Sequence, residues 1–173
     1  MNSYDLSGKR ILLIGGETGL DNAILTKLKE CADEKSVSLY NQLNIANLEA
    51  DMKSLVKEGG SFDGVIFNIV HSDFRPLQFV KPDLVNEIMN DNYGVFVEVV
   101  RSLKKCRGLN SGASIVAMSS ISSTRAMKAK MAFCASKERR LALTSPAAEG
   151  VAAEVEVVAE SAATPVDFGV EDA

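Results

Sequence analysis

The sequence predicts an α/β fold, a doubly wound parallel sheet of about six strands with helices on both faces. Three observations favour this class. Short apolar strands alternate with segments of helical periodicity along the whole chain. The strand FDGVIFNIV at 62–70 is nearly all apolar, as strands buried on both faces of a parallel sheet are. A glycine-rich turn, GGETG, joins the first strand to the first helix.

The first half of the chain contains four predicted strands and two predicted helices. Apolar residues recur at helical spacing after the glycine turn, from Leu20 to Leu28. A second helix has Asn47 as its N-cap and ends at Gly59 and Gly60. The predicted strands cover residues 11–14, 36–40, 43–45 and 62–70, and the third of them is very short.

The second half continues the same alternation. A long helix begins near Asp83 and ends at Gly108, and a later helix is kinked or shortened by Pro146. We expect one domain, residues 1–173, with a loosely packed tail at about 162–173. The predicted elements are the long helix at about 83–107, a strand at 112–120, a helix that begins at 130, and a last strand at 153–161.

Charge and hydropathy exclude several classes of function. The net charge is −4, and the basic clusters are short, so we expect solvated helix faces and no nucleic-acid surface. No apolar run approaches the roughly 20 residues of a membrane span. The N-terminus lacks the apolar core of a signal peptide. These features predict a cytoplasmic protein with no membrane contact.

The cysteines and the one histidine predict no metal site. Cys31, Cys106 and Cys134 have no metal-like spacing, and free thiols fit a reducing compartment. His71 is the single histidine, and it could complete a zinc site only with acidic help.

The turn GGETG has two interpretations. Glycines let the backbone approach a nucleotide phosphate at the N-terminus of the helix, but any tight strand-to-helix turn also favours glycine. Glu17 opposes phosphate binding because its carboxylate repels the pyrophosphate. No arginine follows the second strand to hold a 2′-phosphate. A dinucleotide, if one binds, is therefore predicted to be NAD slightly more than NADP.

Several stretches, taken in order, resemble the short-chain dehydrogenase/reductase (SDR) family. LIGGETGLDNAIL is similar to the TGxxxGxG turn, with Asp21 where the third glycine should be. FNIV resembles NNAG through Asn68 alone, and FCASK resembles YxASK with Phe133 in place of Tyr. The resemblance covers about residues 8–165 and implies a Rossmann-like sheet that is truncated after the sixth strand. The other matching stretches begin at Leu43, Arg75 and Gly112.

The resemblance also implies an active site. In the family a Tyr transfers the proton, and Phe133 stands at its position. Lys137 matches the Lys that lowers the Tyr pKa and holds the nicotinamide ribose. Ser120 matches the residue that polarises the carbonyl. Asn92 matches the Asn that anchors a relay water, with Asp91 as a competing match.

The cofactor implied by the resemblance is NAD or NADP, and the departures from the motifs leave open that none binds. Asn44 takes the place of an Asp that usually faces the adenine. Asp21 brings a second carboxylate to the phosphate site. The positions that match cofactor-binding residues are Gly15, Gly16, Gly19, Leu20, Asn44, Asn68 and Lys137.

Three functions remain open at this point. The preferred one is a degenerate NAD(P)-dependent oxidoreductase, a pseudoenzyme with weak or no carbonyl–alcohol redox activity. The second is a non-catalytic binding or scaffold protein. The third is an enzyme of another reaction, such as dehydration or isomerisation, that uses His71, Ser120 or Asp91. Tyr93 is the one conceivable replacement for the missing proton donor.

The resemblance further implies a homodimer through the helices at about 83–107 and 130–145, with a small molecule as a possible substrate. Apolar residues on these helices are expected to face the sheet and such a contact. They are Val95, Val99, Leu103, Phe133, Leu141 and Leu143.

Overall fold

A five-stranded parallel sheet forms the centre of the protein. The computed structural model describes residues 5–15, 18–42, 44–142 and 154–160. Strands and helices alternate, which confirms the predicted α/β class. The strands are β1 (Ile11–Ile14), β2 (Val37–Tyr40), β3 (Phe62–Phe67), β4 (Leu109–Ser120) and β5 (Glu154–Glu160). The helices are α1 (Gly19–Cys31), α2 (Ile45–Gly59), α3 (Pro82–Met89), α4 (Val95–Lys105) and α5 (Met131–Ala142).

The strand order β2-β1-β3-β4-β5 places the reversal of winding beside β1. Every neighbouring pair is parallel. Ile14 lies opposite both Tyr40 and Phe67, so the first three strands end at the same level. In open sheets of this kind the crevice at such a reversal, outside the carboxyl ends of the strands, is where ligands bind.

The core lies between the sheet and the pair α2 and α4. Alternate residues of β1 point to opposite faces, so Leu12 and Ile14 join this core. Phe67 and Phe96 meet edge to face with their ring centroids 5.1 Å apart. Each such side chain contributes roughly 1.5–3 kcal/mol when fully buried. The other core residues include Leu48, Met52, Phe62, Val65, Val95, Val99, Leu103, Ile115 and Ala117.

The short third strand predicted at 43–45 is wrong. Asn44 is the N-cap of α2, and its side-chain oxygen accepts a hydrogen bond from the Ala46 amide at 3.1 Å. Ile45 is already in the helix and 40% exposed. An asparagine favours a cap over a strand because its short side chain bonds nearby backbone amides. The described residues therefore form five strands, not about six, and the observed cap of α2, Asn44, lies three residues before the predicted cap at Asn47.

The long helix predicted at about 83–107 is formed by α3 and α4, which a π turn at Asn90–Gly94 joins without a break. Pro82 is at its first turn, where a missing amide hydrogen costs nothing. The amide of Gly108 closes its end by bonding the Leu103 carbonyl at 2.7 Å. A π turn adds one residue to the helical repeat and often occurs at functional sites. Here it directs Asn92 inward, fully buried.

Helix α5 follows β4 and carries the residues at the YxASK position. Phe133 and Lys137 are four apart and lie on one buried face, as predicted. Residues 143–153, which include Pro146, and the tail at 161–173 lie outside the described part of the chain. Within that described part, no helix is both long and apolar enough to cross a membrane.

Candidate functional site

Two polar clusters lie at the carboxyl ends of β1, β3 and β4, where the winding of the sheet reverses. The first surrounds the turn between β1 and α1, and we call it the turn cluster: Gly15, Thr18, Asp21 and Asn68. The second surrounds Lys137 and Phe133, and we call it the lysine cluster: His71, Asn92, Phe133, Ser136 and Lys137.

In the turn cluster, Asp21 forms a reciprocal capping box with Thr18. The Thr18 amide and hydroxyl donate to Asp21 Oδ2 at 3.0 and 2.6 Å, and the Asp21 amide donates to Thr18 Oγ1 at 3.2 Å. Asn68 Nδ2 donates to Asp21 Oδ1 at 2.8 Å. The Asp21 side chain is buried, so a carboxylate of the protein itself occupies the N-terminus of α1. A bound anion would otherwise be favoured at this end of the helix.

The backbone around Asp21 leaves little free space. A Cβ at Gly15 would lie 2.5 Å from Asp21 Oδ1 and 2.8 Å from the Asn68 carbonyl oxygen, so only glycine fits there. Asn68 Oδ1 is buried, and no donor within the described residues reaches it. The side-chain oxygens of Asp21 and Asn68 are acceptor atoms, whereas a phosphate requires donors.

The remaining positions expected to bind the cofactor are not all close to this cluster. Gly19 and Leu20 form the first turn of α1, beside Asp21. Asn44 is exposed, and its side chain caps α2. Gly16 and Glu17 lie outside the described residues.

Lys137 is at the centre of the lysine cluster and is 1% exposed. Its ammonium donates to the Ile69 carbonyl oxygen at 3.1 Å and to the Met118 carbonyl oxygen at 3.5 Å. These carbonyls belong to the segments that follow β3 and end β4, so the side chain joins two strand ends. A buried charge is tolerable only with such partners.

Phe133 lies above this ammonium at the position of the expected proton donor. Its ring centroid is 5.5 Å from Lys137 Nζ and 5.3 Å from Lys130 Nζ, and the side chain is buried. The ring offers its π face to two cations. It carries no acidic hydrogen.

Asn92 fixes the segment after β3 through both atoms of its amide. Its Oδ1 accepts from the His71 amide at 2.8 Å, and its Nδ2 donates to the His71 carbonyl at 2.7 Å and to Ser136 Oγ at 2.9 Å. Ser136 Oγ in turn donates to the Phe133 carbonyl at 2.7 Å. The structure thus brings Asn92 close to the helix of Phe133 and Lys137.

Ser120 is at the end of β4 and is partly buried. Its hydroxyl accepts the Ser122 amide at 3.2 Å and so begins the short 3₁₀ turn Ile121–Ser123. A second serine, Ser119, donates to the Lys137 carbonyl at 3.4 Å.

The tyrosines that the structure describes contact partners of their own. Tyr40 donates its hydroxyl hydrogen to Asp51 at 2.6 Å, and burial together with this carboxylate raises its pKa. The Tyr93 ring lies 5.9 Å from the Arg139 guanidinium. Tyr4 is outside the described residues. Neither of the two hydrogen bonds described above for the Lys137 ammonium goes to a tyrosine, because both acceptors are backbone carbonyls.

Sequence reasoning missed Thr18 and Ser136 in these clusters, the capping role of Asp21, and Glu87 beside the lysine cluster. Thr18 and Asp21 have the spacing of a capping box, and that signal was available in the sequence. Ser136 matches the serine of YxASK, but its contact cannot be predicted from the sequence because it depends on the distant Asn92. Glu87 approaches His71 and Asp91, and only the fold brings these three together.

The parallel sheet and the reversal of winding beside β1 define a Rossmann-like fold. The family model for enoyl-(acyl carrier protein) reductase matches residues 18–166, well over half of the chain. The chain therefore belongs to the short-chain dehydrogenase/reductases, a family whose members typically bind NAD or NADP. No protein with a curated description matches the sequence significantly.

Solved structures of this family share the fold. A short-chain dehydrogenase/reductase from Serratia marcescens is 18% identical with a TM-score of 0.77, covering 89% of this chain and 74% of its own. A Mycobacterium smegmatis short-chain dehydrogenase is 20% identical with a TM-score of 0.76, covering 90% and 76%. The ligand-free Thermoplasma acidophilum aldohexose dehydrogenase is 16% identical with a TM-score of 0.75, covering 88% and 66%. At these identities the likeness concerns the fold alone.

Proposed function

We propose that this chain is a short-chain dehydrogenase/reductase without conventional carbonyl–alcohol turnover, whose framework serves as a binding or scaffold protein. Phe133 carries the proposal, because it stands beside the buried Lys137 ammonium where the family has its proton donor. Proton transfer by a positioned side chain contributes roughly 10²–10⁴-fold to the rate. A phenyl ring cannot supply it.

The turn cluster supports the same proposal for the cofactor. Asp21 places a buried negative charge at the N-terminus of α1, where a pyrophosphate would bring further negative charge. Two like charges about 4 Å apart repel by about 1 kcal/mol in water and by about 4 kcal/mol near a protein surface. We therefore expect NADH to bind weakly. We expect NADPH, with its additional phosphate, to bind more weakly still.

A cofactor titration tests this proposal. The protein is titrated with NADH and NADPH while nicotinamide fluorescence is recorded, first unchanged and then as Asp21→Asn. The asparagine keeps a side-chain oxygen that can accept from Thr18 and removes the charge, while an amide NH2 replaces the oxygen that accepts from Asn68. We expect Asp21→Asn to tighten NADH binding by at least about fivefold, which is about 1 kcal/mol. Tight binding by the unchanged protein, unaltered by Asp21→Asn, contradicts the role given to Asp21.

A turnover assay tests the proton chemistry separately. A panel of carbonyl substrates is incubated with NADH or NADPH and with the unchanged protein, Phe133→Tyr, or Phe133→Leu as a control that also lacks the hydroxyl. We expect no turnover above background for the unchanged protein and the Leu variant. Rapid carbonyl reduction by the unchanged protein would overturn the proposed function, whatever the Tyr variant does.

We also infer a homodimer through α3, α4 and α5. Val97 of α4 is 38% exposed, which supports an apolar contact there. Three residues expected on this surface, Val95, Val99 and Leu103, are instead buried in the core of the monomer. Their burial agrees with the other expectation for these helices, which is that apolar residues pack against the sheet.

A further inference from the structure

We propose that His71, Glu87 and Asp91 bind one divalent transition-metal ion at the rim of the lysine cluster. The proposal goes beyond the function proposed above, because it concerns a ligand that neither Phe133 nor the turn cluster would touch. It also supplies the acidic help without which the single histidine cannot form a metal site.

The three side chains converge closely enough to share an ion. His71 Nδ1 and Asp91 Oδ2 are 2.7 Å apart, and one ligand atom from each of the three residues lies within 4.8 Å of the others. With zinc bonds of roughly 2.0–2.2 Å, tetrahedral ligands lie about 3.4 Å from one another. Small side-chain rotations therefore convert the observed cluster into a coordination shell.

The backbone holds the three residues in a fixed relation. Asn92 bonds both the amide and the carbonyl of His71, so the loop after β3 is anchored to the long helix. Asp91 lies in the π turn beside Asn92, and Glu87 lies one helical turn earlier in α3. The extra residue of the π turn directs Asn92 inward while Asp91 stays beside His71. Little further ordering of the backbone is needed for binding.

Charge and ligand type favour a cation with an affinity for nitrogen. Within the described residues, no lysine or arginine forms an ion pair with Glu87 or Asp91, so two carboxylates face one imidazole. An ionised carboxylate can only accept, so the hydrogen between His71 and Asp91 belongs to Nδ1, and a metal ion takes its place. One imidazole and two carboxylates suit zinc and leave a coordination position open.

The single histidine makes the test unambiguous. The full chain is labelled with ¹⁵N, and the imidazole resonances, which can only come from His71, are followed during titration with Zn²⁺. The same titration is run on Glu87→Gln, Asp91→Asn and Asp83→Asn. Asp83 is an exposed carboxylate in the first turn of the same helix, so its variant is a matched control for the loss of one charge.

We expect Zn²⁺ to shift the Nδ1 resonance and to saturate at one ion per chain. Loss of an outer partner of a metal ligand typically weakens affinity about 10–100-fold, so loss of a ligand should cost at least about tenfold. Glu87→Gln and Asp91→Asn should each show this loss, and Asp83→Asn should bind as the unchanged protein does. Glu87 is exposed, so its variant should fold normally. A His71 resonance that excess Zn²⁺ does not move, or equal affinity in the Glu87 and Asp91 variants and the unchanged protein, overturns the proposal.

Discussion

At the scale of single residues, the lysine cluster combines a residue retained from the family pattern with one that departs from it. Lys137 keeps its position and is held by backbone carbonyls from two strand ends. Phe133 departs from the pattern and covers the ammonium with a ring. The lysine therefore has a structural contribution that does not depend on any proton transfer.

Replacing Lys137 should reveal that structural contribution. Lys137→Met keeps the length of the side chain but leaves the Ile69 and Met118 carbonyls without this donor. A hydrogen bond that involves a charged group contributes roughly 1.5–3 kcal/mol, so the free energy of unfolding should fall by about that amount. Denaturant unfolding measures it, with Lys128→Met as an exposed control that should change little. Equal stability of the two variants would mean that the ammonium is not held as described.

Tyr40 makes a prediction about alkaline pH. Its hydroxyl bonds Asp51, and burial and this carboxylate raise its pKa in the folded protein. A raised folded pKa contributes stability that is complete below the unfolded value, about 10, and is lost as pH rises through the folded value. Tyr40→Phe should lower the free energy of unfolding by roughly 1.5–3 kcal/mol near neutral pH.

The difference between Tyr40→Phe and the unchanged protein should shrink above about pH 10, because the unfolded tyrosine then ionises. Urea unfolding of both proteins at about pH 7, 9 and 11 measures this difference. A difference that stays constant across this range would show that Tyr40 does not titrate with a raised pKa.

At the scale of elements, α2 and α4 are joined by charges at the surface as well as by the core. Glu49 of α2 bonds Arg101 and Lys105 of α4, and Arg101 also bonds Glu98 within α4. The basic partners lower the pKa of Glu49, and Arg101 lowers that of Glu98. Networks of this kind are screened by salt.

Acid should weaken the contact between α2 and α4. A lowered carboxyl pKa contributes stability that is present above the unfolded value, about 4.3, and is lost as pH falls through the folded value. Arg101→Met should therefore be less stable than the unchanged protein at neutral pH and low salt. The two should converge below about pH 4 or in about 1 M salt, as thermal unfolding would show. A difference that survives both conditions would point to packing of the Arg101 stem instead.

The elements also show how far the sequence can be interpreted. Alternating apolar strands and helices predict the class because hydrophobic periodicity is a local signal. The π turn leaves no such signal in the sequence. It forms where the Asn92 side chain makes hydrogen bonds to His71 and Ser136, which are distant in the chain. The segment LNI at 43–45 contains two apolar residues that suggest a strand, but Asn44 caps α2 and Ile45 is already helical.

The candidate site also contains some contacts that the sequence could predict and others that it could not. Asn92 bonds Ser136 on the helix that carries Phe133 and Lys137, so the fold brings these three residues of the resemblance to one region, and their catalytic roles stay predictions. The capping role of Asp21 could have been predicted from Thr18 three residues earlier. The approach of Glu87 to His71 could not, because it depends on the loop after β3 lying against α3.

At the scale of the whole molecule, the monomer buries much of the apolar surface that its long helix offers. Val95, Val99 and Leu103 are in the core between α4 and the sheet, which leaves Val97 as an exposed apolar side chain of α4. A stable interface buries at least about 1,000 Å² in total, so a dimer through this helix needs α3 or α5 as well. The contact should therefore be sensitive to a charge placed at its apolar centre.

Sedimentation of Val97→Glu makes this prediction specific. We expect the unchanged protein to be a dimer at micromolar concentration and Val97→Glu to be a monomer, because the glutamate would be buried without a partner on association. Leu77→Glu serves as the matched control. It places the same charge on another exposed apolar residue, 67% exposed and outside α4, and should remain a dimer. A monomeric unchanged protein, or dissociation of both variants alike, contradicts the proposed dimer surface.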